Sequence, residues 1–259
     1  MVIRRALRRV CAVAVAVAVG VGLAACGNGD PSIPPPGPRI GQPVNAPLPG
    51  AITNAVLVSS SGQRFTIGSL RGKVVVVSDM MTLCQESCPL DTADVVAAAR
   101  AAQRNGLGKK IVFLSLTIDP QRDTIPQLAA YRHEFAPAPA DWITATGAPD
   151  AIRALWKAFG VYIQRVPDHP PLPRNWRTGK PLTYDLTHSD EVFFLDQRGR
   201  ERFVLDGVPH LAPGTKLPPT LNRFLDAKGH HNVTSPSKLA WTLPQALDVL
   251  SWLVGQRIT

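Results

Sequence analysis

The chain has 259 residues, with 28 Lys+Arg against 19 Asp+Glu, a formal net charge of +9, and 45% hydrophobic residues. That length and apolar content can build a sizeable core, which excludes a disordered chain. With only four cysteines, it also excludes a disulfide-stapled miniprotein.

Arg4, Arg5, Arg8 and Arg9 precede a run from Val10 to Ala25 that is Ala, Val and Gly apart from Cys11 and Leu23. These read as the charged and apolar regions of a secretory signal, residues 1–25. The run is shorter than the roughly 20 residues a helix needs to cross a bilayer. It ends in Leu23-Ala24-Ala25-Cys26, which resembles a bacterial lipobox. The resemblance implies that Cys26 becomes the lipidated first residue of the mature chain. The protein would then sit at the cell membrane, lipid-anchored on the extracytoplasmic face.

Residues 26–50 begin with Cys26 and carry eight prolines and five glycines with little to bury, the composition of a semi-rigid, partly polyproline II tether. The folded domain is expected over 51–259. Removing residues 1–25 takes away four of the 28 basic residues and no acid, which leaves +5. A moderately basic surface outside the cytoplasm meets anionic lipid or acidic protein faces, so nucleic acid is not an expected partner.

Lys73 to Ser78 and Ile111 to Ile118 are continuous apolar, β-branched runs, as in strands buried on both faces of a parallel sheet. Pro89 to Arg104 is an Ala-rich helix stopped by Asn105-Gly106, and Thr124 to Phe135 a second helix that Asp123 or Thr124 can cap. "WITATG" predicts a short strand, Ala148 to Phe159 a helix, Val161 to Val166 a strand, and Val166 to Pro181 a Pro-rich loop. "EVFFLD" and "ERFVL" predict an antiparallel hairpin, 207–240 a long loop, and Leu243 to Val254 a terminal helix. The order, a parallel βαβα half followed by ββα, predicts an α/β protein with a thioredoxin-like fold: a mixed central sheet, helices on both faces, and loop insertions.

Cys84 and Cys88 follow the first core strand and open its helix, where open α/β sheets place their ligands. If that turn is helical, residues four apart lie on one face and both sulfurs grip one object. Helix N-terminal amides favour the thiolate, with Cys84 expected to gain most. A structural disulfide over so short a ring gains little loop entropy and strains its geometry. The pair therefore reads as a dithiol redox centre or a metal clamp, and a third ligand would decide. Of His133, His169, His188, His210, His230 and His231, position favours His188, just before the hairpin strand expected beside the first core strand. A lone histidine is more often a satisfied surface or core group, so spacing leaves the third ligand open.

Four ordered blocks, "TLCQESCP", "LTIDPQRDTIPQLAAYRHEF", "DWITATG" and "YDLTHSDEVFFLD", resemble the Sco/SenC family of copper-binding thioredoxin-like proteins that assist cytochrome c oxidase assembly. The resemblance implies that Cys84, Cys88 and His188 bind one copper ion, and it implies the oxidase subunit carrying the CuA centre and a thiol-disulfide reductant as partners. Soft thiolates with an imidazole suit Cu(I) and tolerate Cu(II), whereas a closed zinc site usually wants a fourth protein ligand. The sequence departs from the family pattern at "SDMMTLC", where members usually carry an aromatic residue and glycine. There Met80 and Met81 could pack at the strand end or act as soft auxiliary ligands.

The expected function is that of a metallochaperone. The alternative is a thiol-disulfide oxidoreductase in which Cys84 attacks a partner disulfide and Cys88 resolves it. A peroxidase would need a Pro-x-x-x-Thr/Ser-x-x-Cys pattern that is absent around Cys84. A tethered binding module with an incidental thiol pair is the remaining class. His230 and His231 read as solvated, and Asp119 and Asp123 as turn and cap residues.

Overall fold

The computed structural model describes residues 33–259 apart from 239; the predicted signal, Cys11 and the expected lipidation site Cys26 lie outside the described residues. In chain order the first elements are β1 (Gln42–Pro47), α1 (Gly50–Thr53), β2 (Leu57–Ser59), β3 (Arg64–Phe65), β4 (Val74–Met80), α2 (Cys88–Arg104), β5 (Ile111–Thr117), α3 (Ile125–Glu134), β6 (Trp142–Gly147) and α4 (Pro149–Phe159). There follow β7 (Ile163–Pro167), β8 (Tyr184–His188), β9 (Glu191–Leu195), β10 (Arg200–Asp206), α5 (Pro219–Phe224), α6 (Ala227–Thr234) and α7 (Leu243–Val254).

Eight strands form one sheet in the order β1-β10-β9-β4-β5-β6-β2-β3. β4, β5 and β6 run parallel at its centre, and β9 lies antiparallel on the other side of β4. The two expected core strands are buried at every position, as strands covered on both faces must be. Alternation along β4 sends Val74, Val76 and Met80 into one core and Val75 and Val77 into another. The first core packs α2, α3 and α7 against the sheet, with Leu128, Tyr131, Val249 and Leu250 fully enclosed. The second lies under α1 and α4, with Ile52, Leu155 and Trp156. This is the mixed α/β architecture expected, with helices on both faces.

Among the differences from expectation are two segments and one residue. Residues 42–47, read as part of the tether, form an edge strand on β10. Proline is tolerated at a sheet edge, and the register shift between Pro43 and Ala46 accommodates it. Residues 207–240 hold two short helices rather than a long loop. α5 and α6 lack a strong apolar period of their own, and the segment is fastened by Leu217, Leu221 and Leu225 in the first core. Asp123 caps nothing, since Thr124 occupies the N-cap of α3 without a side-chain bond. Instead Asp123 is buried and accepts from the Thr82 amide and hydroxyl and from the Thr117 hydroxyl, tying the thiol loop to the end of β5.

Candidate metal centre

The helix of the thiol segment begins only at Cys88, so Cys84 sits in a turn ahead of it. The sulfurs meet because the loop folds back, not because of helical spacing. The Glu86 and Cys88 amides donate to Cys84 Sγ at 3.4 and 3.5 Å, and Ser87 Oγ lies 3.9 Å from the same sulfur. Both thiols are free and buried, Cys84 at 5% and Cys88 at 1% exposure.

His188 ends β8, which pairs with β7 in a separate two-stranded sheet. The chain then turns through Ser189 and Asp190 into β9, which lies on β4 as expected. This route brings His188 Nε2 to 3.6 Å from Cys88 Sγ. One ligand atom from each of Cys84, Cys88 and His188 lies within 4.8 Å of the others. Among the described residues, none of the other five histidines joins such a cluster. His210 lies 3.0 Å from the Ser237 carbonyl, and His230 and His231 lie on α6.

The other face of the ring is polar. His188 Nδ1 lies 2.9 Å from the Ser189 carbonyl, 3.0 Å from Asp79 Oδ2 and 3.7 Å from Asp190 Oδ1. Asp79 Oδ1 accepts from the Glu191 amide at 3.0 Å. Asp79 and Asp190 were not singled out from sequence. The usable signal for Asp79 was a carboxylate inside a buried apolar strand, a place where an unpaired charge is rarely tolerated.

The electrostatics separate the two thiols. The hydrogen bond from Cys88, opposed by burial and helped by His188 and the Glu86 amide, holds the Cys84 thiol well below its ordinary range. Burial, then the hydrogen bond to Cys84 and the charge on it, pushes the Cys88 thiol up. Burial works against the His188 imidazolium, but the hydrogen bonds to Asp79 and Cys84 outweigh it and raise its pKa well above the ordinary histidine value. Burial raises Asp190 to about 7, and burial with the nearby Asp190 and Asp79 raises Asp91. The apo site therefore favours a Cys84 thiolate beside a His188 imidazolium.

Met80 and Met81 are both buried. Met80 packs in the first core, whereas Met81 shares the second with Cys84 and Cys88, and its Sδ lies 3.2 Å from Arg122 Nη2. The thiol loop is held from two further sides. Trp176, from the Pro-rich loop, donates through Nε1 to the Thr82 carbonyl at 2.8 Å. On the other side, Gln85 donates to the Phe224 carbonyl at 2.9 Å and accepts from the Asp226 amide at 3.0 Å. Lys228 pairs with Glu86. α6 approaches so closely that a Cβ at Gly229 would collide with the Gln85 carbonyl.

Fold and site together define a thioredoxin-like protein with a buried two-thiol, one-imidazole centre. The SCO1/SenC family pattern matches residues 53–211, more than half of the chain, and the chain belongs to that family. It is 30% identical over 109 residues to "Protein SCO1 homolog 1, mitochondrial" of Arabidopsis thaliana, covering 42% of this chain and 31% of that relative, under a third of its length. A solved SCO1/SenC family lipoprotein from Bacillus anthracis shares the fold at 24% identity and a TM-score of 0.51, over 71% of this chain and 94% of that one. Arabidopsis thaliana ScoI, solved with copper bound, aligns at 22% identity and a TM-score of 0.47, over 71% of this chain and 94% of that chain.

Proposed function

We propose that this chain binds one copper ion through Cys84, Cys88 and His188 and delivers it to the CuA centre of cytochrome c oxidase during assembly. The observation that carries the reading is the convergence of those three donor atoms within 4.8 Å of one another. Sco proteins are cytochrome c oxidase assembly proteins, which supports a partner of that class. Two thiolates and one imidazole form a soft, low-coordinate donor set that suits Cu(I).

Delivery proceeds by ligand exchange. An acceptor thiolate enters as Cys84 leaves, and the ion passes between proteins without being released. Cys84 is the suitable leaving ligand because its thiolate is the better stabilised of the two when metal-free. The proposal includes an N-terminal lipid anchor at Cys26 that holds the domain at the extracytoplasmic face of a bacterial membrane. Among the described residues no helix is long and apolar enough to cross a membrane. A thiol-disulfide reductase would use the same sulfurs but gives His188 Nε2 no metal to bind.

The test is anaerobic Cu(I) titration of the reduced protein followed by X-ray absorption at the copper edge. One copper per chain with two sulfurs and one nitrogen supports the proposal. A two-sulfur site without nitrogen, or no uptake, removes it.

A further inference from the structure

We infer that Asp79 is the positioning residue of this centre: it holds the proton of His188 on Nδ1 and so presents the Nε2 lone pair to the metal. The inference rests on the copper reading above but concerns a residue that reading does not use.

Three observations carry it. First, Nδ1 faces acceptors only: the Ser189 carbonyl at 2.9 Å, Asp79 Oδ2 at 3.0 Å, and Asp190 Oδ1 farther off at 3.7 Å. A ring nitrogen facing carbonyl and carboxylate oxygens must be the one that carries hydrogen, and the neutral ring then has its lone pair on Nε2. Second, Nε2 points the opposite way, 3.6 Å from Cys88 Sγ. Third, Asp79 is itself fixed. It lies on fully buried β4, its side chain is 4% exposed, and its other oxygen accepts from the Glu191 amide at 3.0 Å. One carboxylate thus spans the turn that carries His188 into β9, fixing both ring and backbone. A carboxylate partner on a ligating imidazole sets its orientation and increases its basicity, and its loss typically costs about 10- to 100-fold in metal affinity.

Asp79→Asn keeps the size but breaks the pattern. If its oxygen stays on the Glu191 amide, its NH2 group confronts Nδ1–H. If the amide flips, NH2 confronts the Glu191 amide instead. Either a backbone donor is left opposed or the ring moves its proton to Nε2, where the metal must bind.

Three measurements decide it. In long-range 1H–15N spectra of the wild-type protein, recorded apo at a pH where the ring is neutral and again with Cu(I) bound, Nδ1 of His188 should carry a proton in both, and Nε2 should be the nitrogen perturbed by Cu(I). Chelator competition should show Cu(I) affinity about 10- to 100-fold weaker in Asp79→Asn. In a His188→Ala background the same substitution should cost almost nothing further, because Asp79 acts through the ring. An unprotonated Nδ1, copper on Nδ1, or an equal loss in both backgrounds overturns the inference. Wild-type protein that takes up no Cu(I) sinks the copper reading instead; the apo spectra of wild type and Asp79→Asn, compared at a pH high enough for the ring to be neutral, still decide whether Asp79 holds the proton on Nδ1. If Asp79→Asn does not fold, Asp79→Ala, which removes the carboxylate without adding a donor, takes its place in the same comparisons.

Discussion

Cys88 Sγ and His188 Nε2 lie 3.6 Å apart although 100 positions separate them in the chain. The pair meets because β9 docks antiparallel on β4, which carries the end of β8 to the same end of the sheet where the thiol loop begins. A metal bound there needs both sides of that junction. His188→Ala should therefore lower Cu(I) affinity by more than the roughly 100-fold upper range for losing a ligand's hydrogen-bond partner. Disulfide exchange with a small dithiol should be largely kept. Chelator competition and an exchange assay on the same preparation check both, and copper retention equal to wild type would count against the metal centre.

Cys84 should behave as the reactive thiol. Its pKa is depressed, so alkylation of the reduced protein should remain fast as pH falls below the ordinary thiol range, and modification should fall on Cys84 before Cys88. Cys88→Ala removes the largest cause of the depression and should move the pH–rate profile of Cys84 upward, with His188→Ala moving it less. Peptide mapping after a short pulse of iodoacetamide reads both.

The α5–α6 segment should act as a cover over the thiol loop. Gly229→Val places a branched side chain where the Gln85 carbonyl already sits, so α6 can no longer seat. Cys84 should then be alkylated about tenfold faster through a larger open population, with a modest loss of stability of about 1–3 kcal/mol. Unchanged alkylation in a folded variant would show that the segment does not limit access.

Asp123 gives a pH signature. Burial, with Asp119 nearby, raises its carboxyl to about 7 against hydrogen bonds from Thr117 and Thr82 that lower it. A carboxyl raised in the folded state contributes stability that is complete below its unfolded pKa and is lost as pH rises through about 7. Asp123→Asn keeps an acceptor for Thr82 and removes the titration. The stability difference between wild type and variant should therefore shift against wild type from about pH 4 to about pH 8. Urea denaturation across that range checks it, and a constant difference would show that Asp123 is ionised throughout in the fold.

Much of the architecture was legible because it is written in local patterns. The continuous runs of β4 and β5, the Ala-rich α2 with its Asn105 stop, the β9–β10 hairpin and the terminal α7 each announce themselves within one contiguous stretch of chain. β1, α5 and α6 did not. A proline-bearing edge strand and two short helices owe their form to the surfaces they rest on, β10 in one case and the first core with the thiol loop in the other.

The thiols at the mouth of a buried strand were decided by sequence alone, because strand, loop and helix are contiguous there. Position and the family resemblance pointed to His188 among six histidines, but only the tertiary structure brought its ring to the thiols, set a carboxylate of β4 on the far side of that ring and closed α6 over the loop. Those outcomes follow from strand order and docking between segments scores of residues apart, and no local period of apolar and polar residues encodes them.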